Sequence, residues 1–341
     1  MSATSGSDIG LTDRRPIMGD NKVLLYGRPH GSLPEPWTKD LTEVLEARFT
    51  ITQFDHDRPA QPQFEDFEVV IEIGLTMPPG HVSAAAAAGV RYVQTQTNGI
   101  DHIDVDLFKS HGIAVSNCPS EINKFALSQS AMMFILMLAG RYRQAAENFN
   151  NGTYYQPCPY ELGGRILGII GFGASGTELA RRAKSFGMRI MGIDIRDIDA
   201  AILDEIQPEF MGLPEDLDRV VAECDFLSVH LHLNEQTHHI IDARRIGMLK
   251  PTAAVINVCR GALIDEDALY EALLQGRVGG AGLDVFAAEP PDPSLPVYQL
   301  PTVVTTPHTG GGTEEVSRGR AEFAADNVTR FFSGQEPECL L

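Results

Sequence analysis

From residue 22 onward the chain alternates short apolar runs with stretches whose apolar residues recur at helical spacing. "VLLY" (23–26), "VVIEI" (69–73), "VRYVQT" (90–95) and "IAV" (113–115) read as strands, and the segments near 36–48, 80–88 and 104–110 read as helices. Apolar runs this short, bounded by turn-forming residues, suit strands covered on both faces. Their alternation with helices predicts a parallel sheet with crossover connections. A long helical pattern from 121 to about 148 follows, and after "NNGTYYQPCPYELGG" a second series opens. Its strands are "RILGII" (165–170), "MRIMGI" (188–193), "FLSVHL" (226–231), "AAVINV" (253–258) and "GAGLDV" (280–285), again with helices between. Two such series predict two doubly wound α/β domains. A last helix, from about 313 to 332, follows the β-branched run "VVTT" (303–306) and has no strand after it, so the pattern alone assigns it to neither series.

Composition narrows the classes. A length of 341 residues suits about two domains, and 43% hydrophobic residues is enough for packed cores. With a net charge of −19 and only 27 Lys and Arg, scattered along the chain, no nucleic-acid partner is expected. Cys118, Cys158, Cys224, Cys259 and Cys339 are odd in number and show no C-x-x-C spacing, which points away from a disulfide framework or a metal site and toward a reducing cytoplasm. Residues 1–20 have no apolar signal segment and are expected to be a disordered tail. The most apolar run, "AMMFILMLAG" (131–140), is about half the length that crosses a bilayer, so it is expected to be a buried helix segment, with no membrane association.

The stretch "RILGIIGFGASGTELARRAKSFGMRIMGID" places Gly171, Gly173 and Gly176 directly after an apolar strand and at the head of a helix, with Asp194 closing the next strand. Glycines there permit a tight turn and close approach of backbone to a pyrophosphate, and a helix N-terminus supplies N–H donors. Asp194 lies 18 residues past the last glycine, the spacing at which an acid grips a ribose 2′-hydroxyl, and its charge favours NAD over NADP. Arg196, two residues on, pulls toward the opposite preference.

A nicotinamide cofactor carries the hydride, so the protein must supply a proton donor, a substrate anchor and orientation. In "VVTTPHTGGG" (303–312), His308 stands where a strand ends, among residues suited to backbone freedom, and its imidazole is a candidate proton donor. Arg260, in "NVCRGALIDEDAL", follows a strand of the second series, where open α/β sheets place ligands, and its planar fork suits a carboxylate. Glu289, in "LDVFAAEPPDP", is placed to pair with a histidine. Singly, each has a plainer account as a turn residue or surface ion pair.

Together these segments resemble the D-2-hydroxyacid dehydrogenases, a family that includes phosphoglycerate dehydrogenase, glycerate dehydrogenase and glyoxylate/hydroxypyruvate reductase. The likeness runs from about 90 to 337 and is carried by "NGIDHID", "LGGRILGIIGFGASG", "INVCRGALIDEDAL", "GLDVFAAEP" and "TTPHTGGGT". It implies a Rossmann NAD-binding domain, residues 120–305, inserted in a flavodoxin-like substrate domain built from 21–119 and 306–341. On the family pattern His308 is the acid/base, Glu289 holds it, and Arg260 binds the substrate carboxylate and carbonyl. Backbone N–H groups around Asn98 and Gly99 would hold the carboxylate, with Thr76 beside the substrate. NAD would be met by Gly171, Gly173, Ala174, Ser175, Gly176, Asp194, Ile195, Arg196, His230, Val258, Cys259, Arg260, Asp284, His308 and Gly310, with Asp284 orienting the carboxamide. The family's long connecting helix packs in a homodimer. Gln129, where the family often has glutamate, and His232 with Leu233, where x-P-L is usual, depart from its pattern.

The expected activity is therefore NAD-dependent interconversion of a small 2-oxo acid and its D-2-hydroxy acid. Rivals on the same scaffold are a formate or phosphite dehydrogenase, with Glu289 arguing against the formate branch, and an NADH-sensing corepressor-like binding protein. Against the latter, the one tryptophan, Trp37, lies near the N-terminus. The loops "GLTMPPG" (74–80) and "TNGIDHID" (97–104) contain no Lys or Arg, so an unphosphorylated acid of the glyoxylate or hydroxypyruvate kind is expected rather than the substrate of a phosphoglycerate dehydrogenase. Arg28 and His30, after the first strand, are the cations that would change this expectation.

Overall fold

The computed structural model describes residues 21–27 and 35–341; the segment expected to be a disordered tail, together with Arg28 and His30, lies outside them. The chain divides into two compact units, one of residues up to Cys118 together with Ser317–Leu341, the other Pro119–Val316.

The first unit runs β1 (Lys22–Gly27), α1 (Glu35–Glu46), β2 (Thr50–Gln53), α2 (Gln61–Phe64), β3 (Val69–Ile73), α3 (Pro79–Ala88), β4 (Tyr92–Thr95), α4 (Val105–Ser110) and β5 (Ala114–Ser116). Its sheet is parallel throughout, in the order β2-β1-β3-β4-β5, the flavodoxin-like order. Because side chains alternate across a strand, Val23, Leu25, Val69 and Ile71 enter one core with Leu41 and Leu45, while Leu24, Tyr26, Val70 and Val93 enter the other with Phe64, Val82 and Phe108. The strand β2 was not expected. It is polar and lies at the sheet edge, paired only with β1, so it lacks the apolar run that marks a central strand.

The second unit opens with α5 (Lys124–Ala139) and α6 (Tyr142–Asn150), then β6 (Ile166–Ile170), α7 (Ala174–Ser185), β7 (Arg189–Ile193), α8 (Ala200–Ile206), β8 (Phe210–Gly212), α9 (Leu217–Glu223), β9 (Phe226–Val229), α10 (Ala243–Ile246), β10 (Ala254–Asn257), α11 (Glu266–Leu274), β11 (Gly280–Leu283) and β12 (Val303–Thr305). The seven parallel strands lie in the order β12-β11-β10-β9-β6-β7-β8, a Rossmann arrangement extended by one strand. The single helix expected over 121–148 is two helices, broken at Gly140 and at Arg141, which has left-handed backbone (φ 50°). Nor is the run 131–140 wholly buried: Phe134, Ile135 and Leu138 pack inward, whereas Met133 and Leu136 are exposed. The inward face sits so close to β11 that a side chain at Gly282 would come within 2.6 Å of Phe134.

The last helix, α12 (Glu314–Phe332), packs Ala321, Ala324, Ala325 and Val328 against the first sheet. Asn327 adds a buried bond to Gln94 on β4 at 2.8 Å. The expected boundary at 305/306 is corrected by the compact units, which divide at 316/317. The loop after β12 stays with the second unit because Asp284, at the end of β11, binds it.

Candidate active site

Chemistry in the second unit gathers at the C-terminal ends of its parallel strands, where open α/β sheets leave a crevice. The strand order reverses between β6 and β9, and the glycine loop lies there. Gly171 has φ +95°, and a side chain on it would come within 2.3 Å of the His230 carbonyl beyond β9. A side chain on Gly176 would come within 2.0 Å of the Gly171 carbonyl, so both glycines are required by packing alone. Gly173 is the N-cap of α7, and the space over it is open except for the Arg196 guanidinium at 3.7 Å. Ala174 and Ser175 lie in the first turn of α7, and the N–H groups of a helix N-terminus suit an anion. Ser175 Oγ lies 3.0 Å from Nδ1 of His230, and Ser228 Oγ lies 2.9 Å from Nε2. Burial holds the His230 imidazole neutral, with its pKa pushed down to about 4.

Asp194 ends this row beyond β7. One oxygen accepts the Phe172 N–H at 2.7 Å and Arg196 Nη2 at 3.0 Å; the other accepts the backbone N–H and Nε of Arg196, both at 2.9 Å. Burial opposes its ionisation, but these bonds and the Arg196 charge outweigh it and hold the carboxyl below the usual range. Arg196 thus grips the acid expected to grip the ribose. Ile195 between them is exposed. An open glycine, a helix N-terminus and an ionised acid at the next strand's end together fit the adenosine half of a dinucleotide.

The remaining candidates come from the ends of three adjacent strands, β10, β11 and β12. After β10, Val258 is buried, the Cys259 thiol is pushed up to about 11 by burial, and Arg260 follows. Asn257 fixes this turn by donating to the Arg260 carbonyl at 2.8 Å and accepting the Cys259 N–H at 3.1 Å. A side chain on Gly261 would come within 1.9 Å of the Phe286 carbonyl carbon, so the β10 and β11 loops touch backbone to backbone. That approach brings the Arg260 charge to bear on Glu289. Glu289 accepts the Phe286 N–H at 3.0 Å with one oxygen and faces His308 Nδ1 at 2.7 Å with the other. Burial would raise its pKa, but the His308 hydrogen bond, the Phe286 N–H and the charges of His308 and Arg260 hold it below the carboxylate norm.

His308 itself has left-handed backbone (φ 55°), and its N–H donates to the Asp284 carbonyl at 2.8 Å. The Asp284 carboxylate, 0% exposed, accepts from the Thr306 hydroxyl at 2.5 Å and from the N–H groups of Thr309 and Gly310 at 2.9 and 2.8 Å. These carboxylate bonds of Asp284 are therefore to the turn that carries His308. A side chain on Gly310 would come within 2.7 Å of the same carboxylate. Thr306, Thr309 and Asn257 join this bond network without being singled out by the sequence, since Thr309 acts through its own N–H and Asn257 on backbone groups, which residue type does not mark.

Thr76, Asn98 and Gly99 lie in the first unit, beyond β3 and β4. Asn98 Nδ2 donates to the Cys118 carbonyl and Asn117 Nδ2 to the Asn98 carbonyl, which fixes the course of that loop. Gln129, one of the two departures, is on the exposed side of α5.

The NAD-binding domain model of the D-isomer specific 2-hydroxyacid dehydrogenases matches residues 132–310, more than half of the chain. The chain belongs to that family. A glyoxylate reductase of Thermococcus onnurineus is 33% identical over 331 residues, 94% of this chain and 95% of the relative. Another, from Korarchaeum cryptofilum, is 36% identical over 263 residues, 75% and 77% of the two chains. Among solved structures, a glyoxylate reductase from Paecilomyes thermophila is 26% identical and superposes with a TM-score of 0.79, covering 95% of this chain and 99% of that one. As a member, the dehydrogenase uses NAD to interconvert 2-oxo and D-2-hydroxy acids.

Proposed function

We propose that this dehydrogenase reduces a small unphosphorylated 2-oxo acid of the glyoxylate or hydroxypyruvate kind, with His308 as proton donor, Arg260 as carboxylate anchor and Glu289 as the partner of His308. The observation that carries the reading is the 2.7 Å contact between His308 Nδ1 and Glu289, within reach of the Arg260 charge. An ionised Glu289 on Nδ1 fixes the tautomer and turns Nε2 to the substrate. Bound NADH supplies the hydride to the carbonyl carbon. Protonated His308 delivers its proton to the carbonyl oxygen as that charge develops, and Glu289 balances the imidazolium before transfer. Arg260 holds the carboxylate through its N–H fork and keeps the carbonyl in register with the imidazole. Thr76 and the N–H groups around Asn98 and Gly99 are assigned to the substrate on the family pattern.

The glyoxylate reductase relatives support the substrate class. So does the lack of Lys and Arg in the loops 74–80 and 97–104, because a phosphomonoester carries close to two charges that need cationic partners. Glyoxylate or hydroxypyruvate should show about tenfold or more higher kcat/KM than 3-phosphohydroxypyruvate under identical NADH and salt. A win for the phosphorylated acid would overturn the reading. Among the described residues no helix is long and apolar enough to cross a membrane. A cytoplasmic homodimer without nucleic-acid partners completes the proposal, supported by the acidic charge and by exposed Phe125, Met133 and Leu136 on α5.

A further inference from the structure

Glu72 is 2% exposed within β3, a strand whose other residues are all apolar. Val69, Ile71 and Ile73 take one face of that strand; Glu72 shares the other with Val70, in register beside Thr95 on β4. A carboxylate withdrawn from water is costly unless its oxygens are paired, and a valine would serve the strand better. Here the side-chain bonds lead to two loops and to Thr95, the last residue of β4. One oxygen accepts the Leu75 N–H. The other accepts from the Thr95 hydroxyl at 2.6 Å and lies 3.3 Å from His102 Nε2. Thr95 Oγ1 in turn accepts the Thr97 N–H at 3.2 Å and lies 2.8 Å from Thr97 Oγ1, which is 2.8 Å from the Gly99 carbonyl. One buried carboxylate therefore ties the start of the loop holding Thr76 to the loop holding Asn98 and Gly99.

We propose that Glu72 is a positioning residue for substrate binding, acting through Leu75, Thr95 and His102 to hold residues 74–76 and 97–102 in one geometry. This rests on the assignment of those loops to the substrate. A purely structural carboxylate would cost stability without distinguishing oxo acid from cofactor, whereas a positioning one acts on the oxo acid.

The test uses the full chain with glyoxylate and NADH. Glu72→Gln keeps the shape but turns one acceptor into a donor facing donors, so KM for glyoxylate should rise about tenfold or more, with KM for NADH within about twofold and kcat within about threefold. Thr95→Val removes the linking hydroxyl at similar size and should raise the same KM about fivefold; Thr95→Ser, which restores the hydroxyl, should return it to within about twofold. If Glu72→Gln does not fold, the two Thr95 variants decide. An unchanged glyoxylate KM in folded Glu72→Gln, equal losses for glyoxylate and NADH, or Thr95→Ser no better than Thr95→Val overturns the proposal. A wild-type protein that reduces no 2-oxo acid at all would overturn the functional reading, and the positioning role with it.

Discussion

His308 occupies left-handed backbone that a histidine adopts only at some cost, and the cost is met by the bonds that Asp284 makes to the turn around it. The residue is thus held by its backbone, and Glu289 orients the ring. His308→Ala should leave that scaffold in place and remove only the proposed proton donor, lowering kcat by about 10²-fold or more while NADH binding, measured by fluorescence titration, stays within about twofold. More than half of the wild-type kcat remaining would return His308 to a turn residue. Arg260 makes the complementary case. Arg260→Lys keeps the charge that bears on Glu289 but loses the fork, so KM for the oxo acid should rise about tenfold with little change in NADH affinity. An unaltered KM would locate the carboxylate anchor elsewhere.

Elements differ in how plainly the sequence announces them. Central strands such as β3, β6 and β10 are covered on both faces and appear as apolar runs; β2 and β8 lie at sheet edges with one neighbour each and appear as nothing in particular. The break between α5 and α6 was hidden because apolar periodicity continues across it, while the interruption lies in the backbone of Arg141. Site motifs at strand ends were legible since glycines and charged side chains carry them. The anchoring by Asp284 was not, because two of its partners are backbone N–H groups, and Glu72 was submerged in a strand reading. The link between β6 and β9 offers a measurable consequence. His230 has its pKa lowered from 6.5 to about 4, so between those values the unfolded chain takes up a proton that the folded one refuses. The stability is intact above pH 6.5 and falls as pH is lowered through that window, by on the order of 3 kcal/mol from this group. Urea unfolding at pH 7 and pH 4.5 should show His230→Gln starting less stable than wild type, through loss of its bonds to Ser175 and Ser228, yet losing less on acidification. Equal losses in the two proteins would mean that His230 is protonated in the folded state.

At the scale of the whole molecule, a chain of net charge −19 resists self-association, so a face that brings two copies together must gain enough from apolar burial to exceed that repulsion. For the proposed dimer, the first helices of the second unit carry the exposed apolar residues that such a face needs. On α5, at 100° per residue, Phe125, Met133 and Leu136 fall within about 80° of one another, and all three are exposed. Gln129, the departure from the family pattern on this helix, falls inside the same stripe and is exposed as well. Tyr142 and Phe149 on α6 add exposed aromatic surface next in the chain. Exposed apolar residues concentrated this way on α5, whose opposite face is already buried, are the surface on which the proposed dimer rests. Light scattering on the wild-type protein should return twice the chain mass of 37.2 kDa. The double variant Met133→Glu and Leu136→Glu adds charge at the centre of the stripe and should halve that mass, an effect that high salt partly reverses by screening the repulsion. The inward residues Phe134, Ile135 and Leu138 are untouched, so circular dichroism and NADH binding should report a folded monomer. A wild-type protein that is monomeric at micromolar concentration, or a double variant that stays dimeric, would show that this stripe is not the seam between copies.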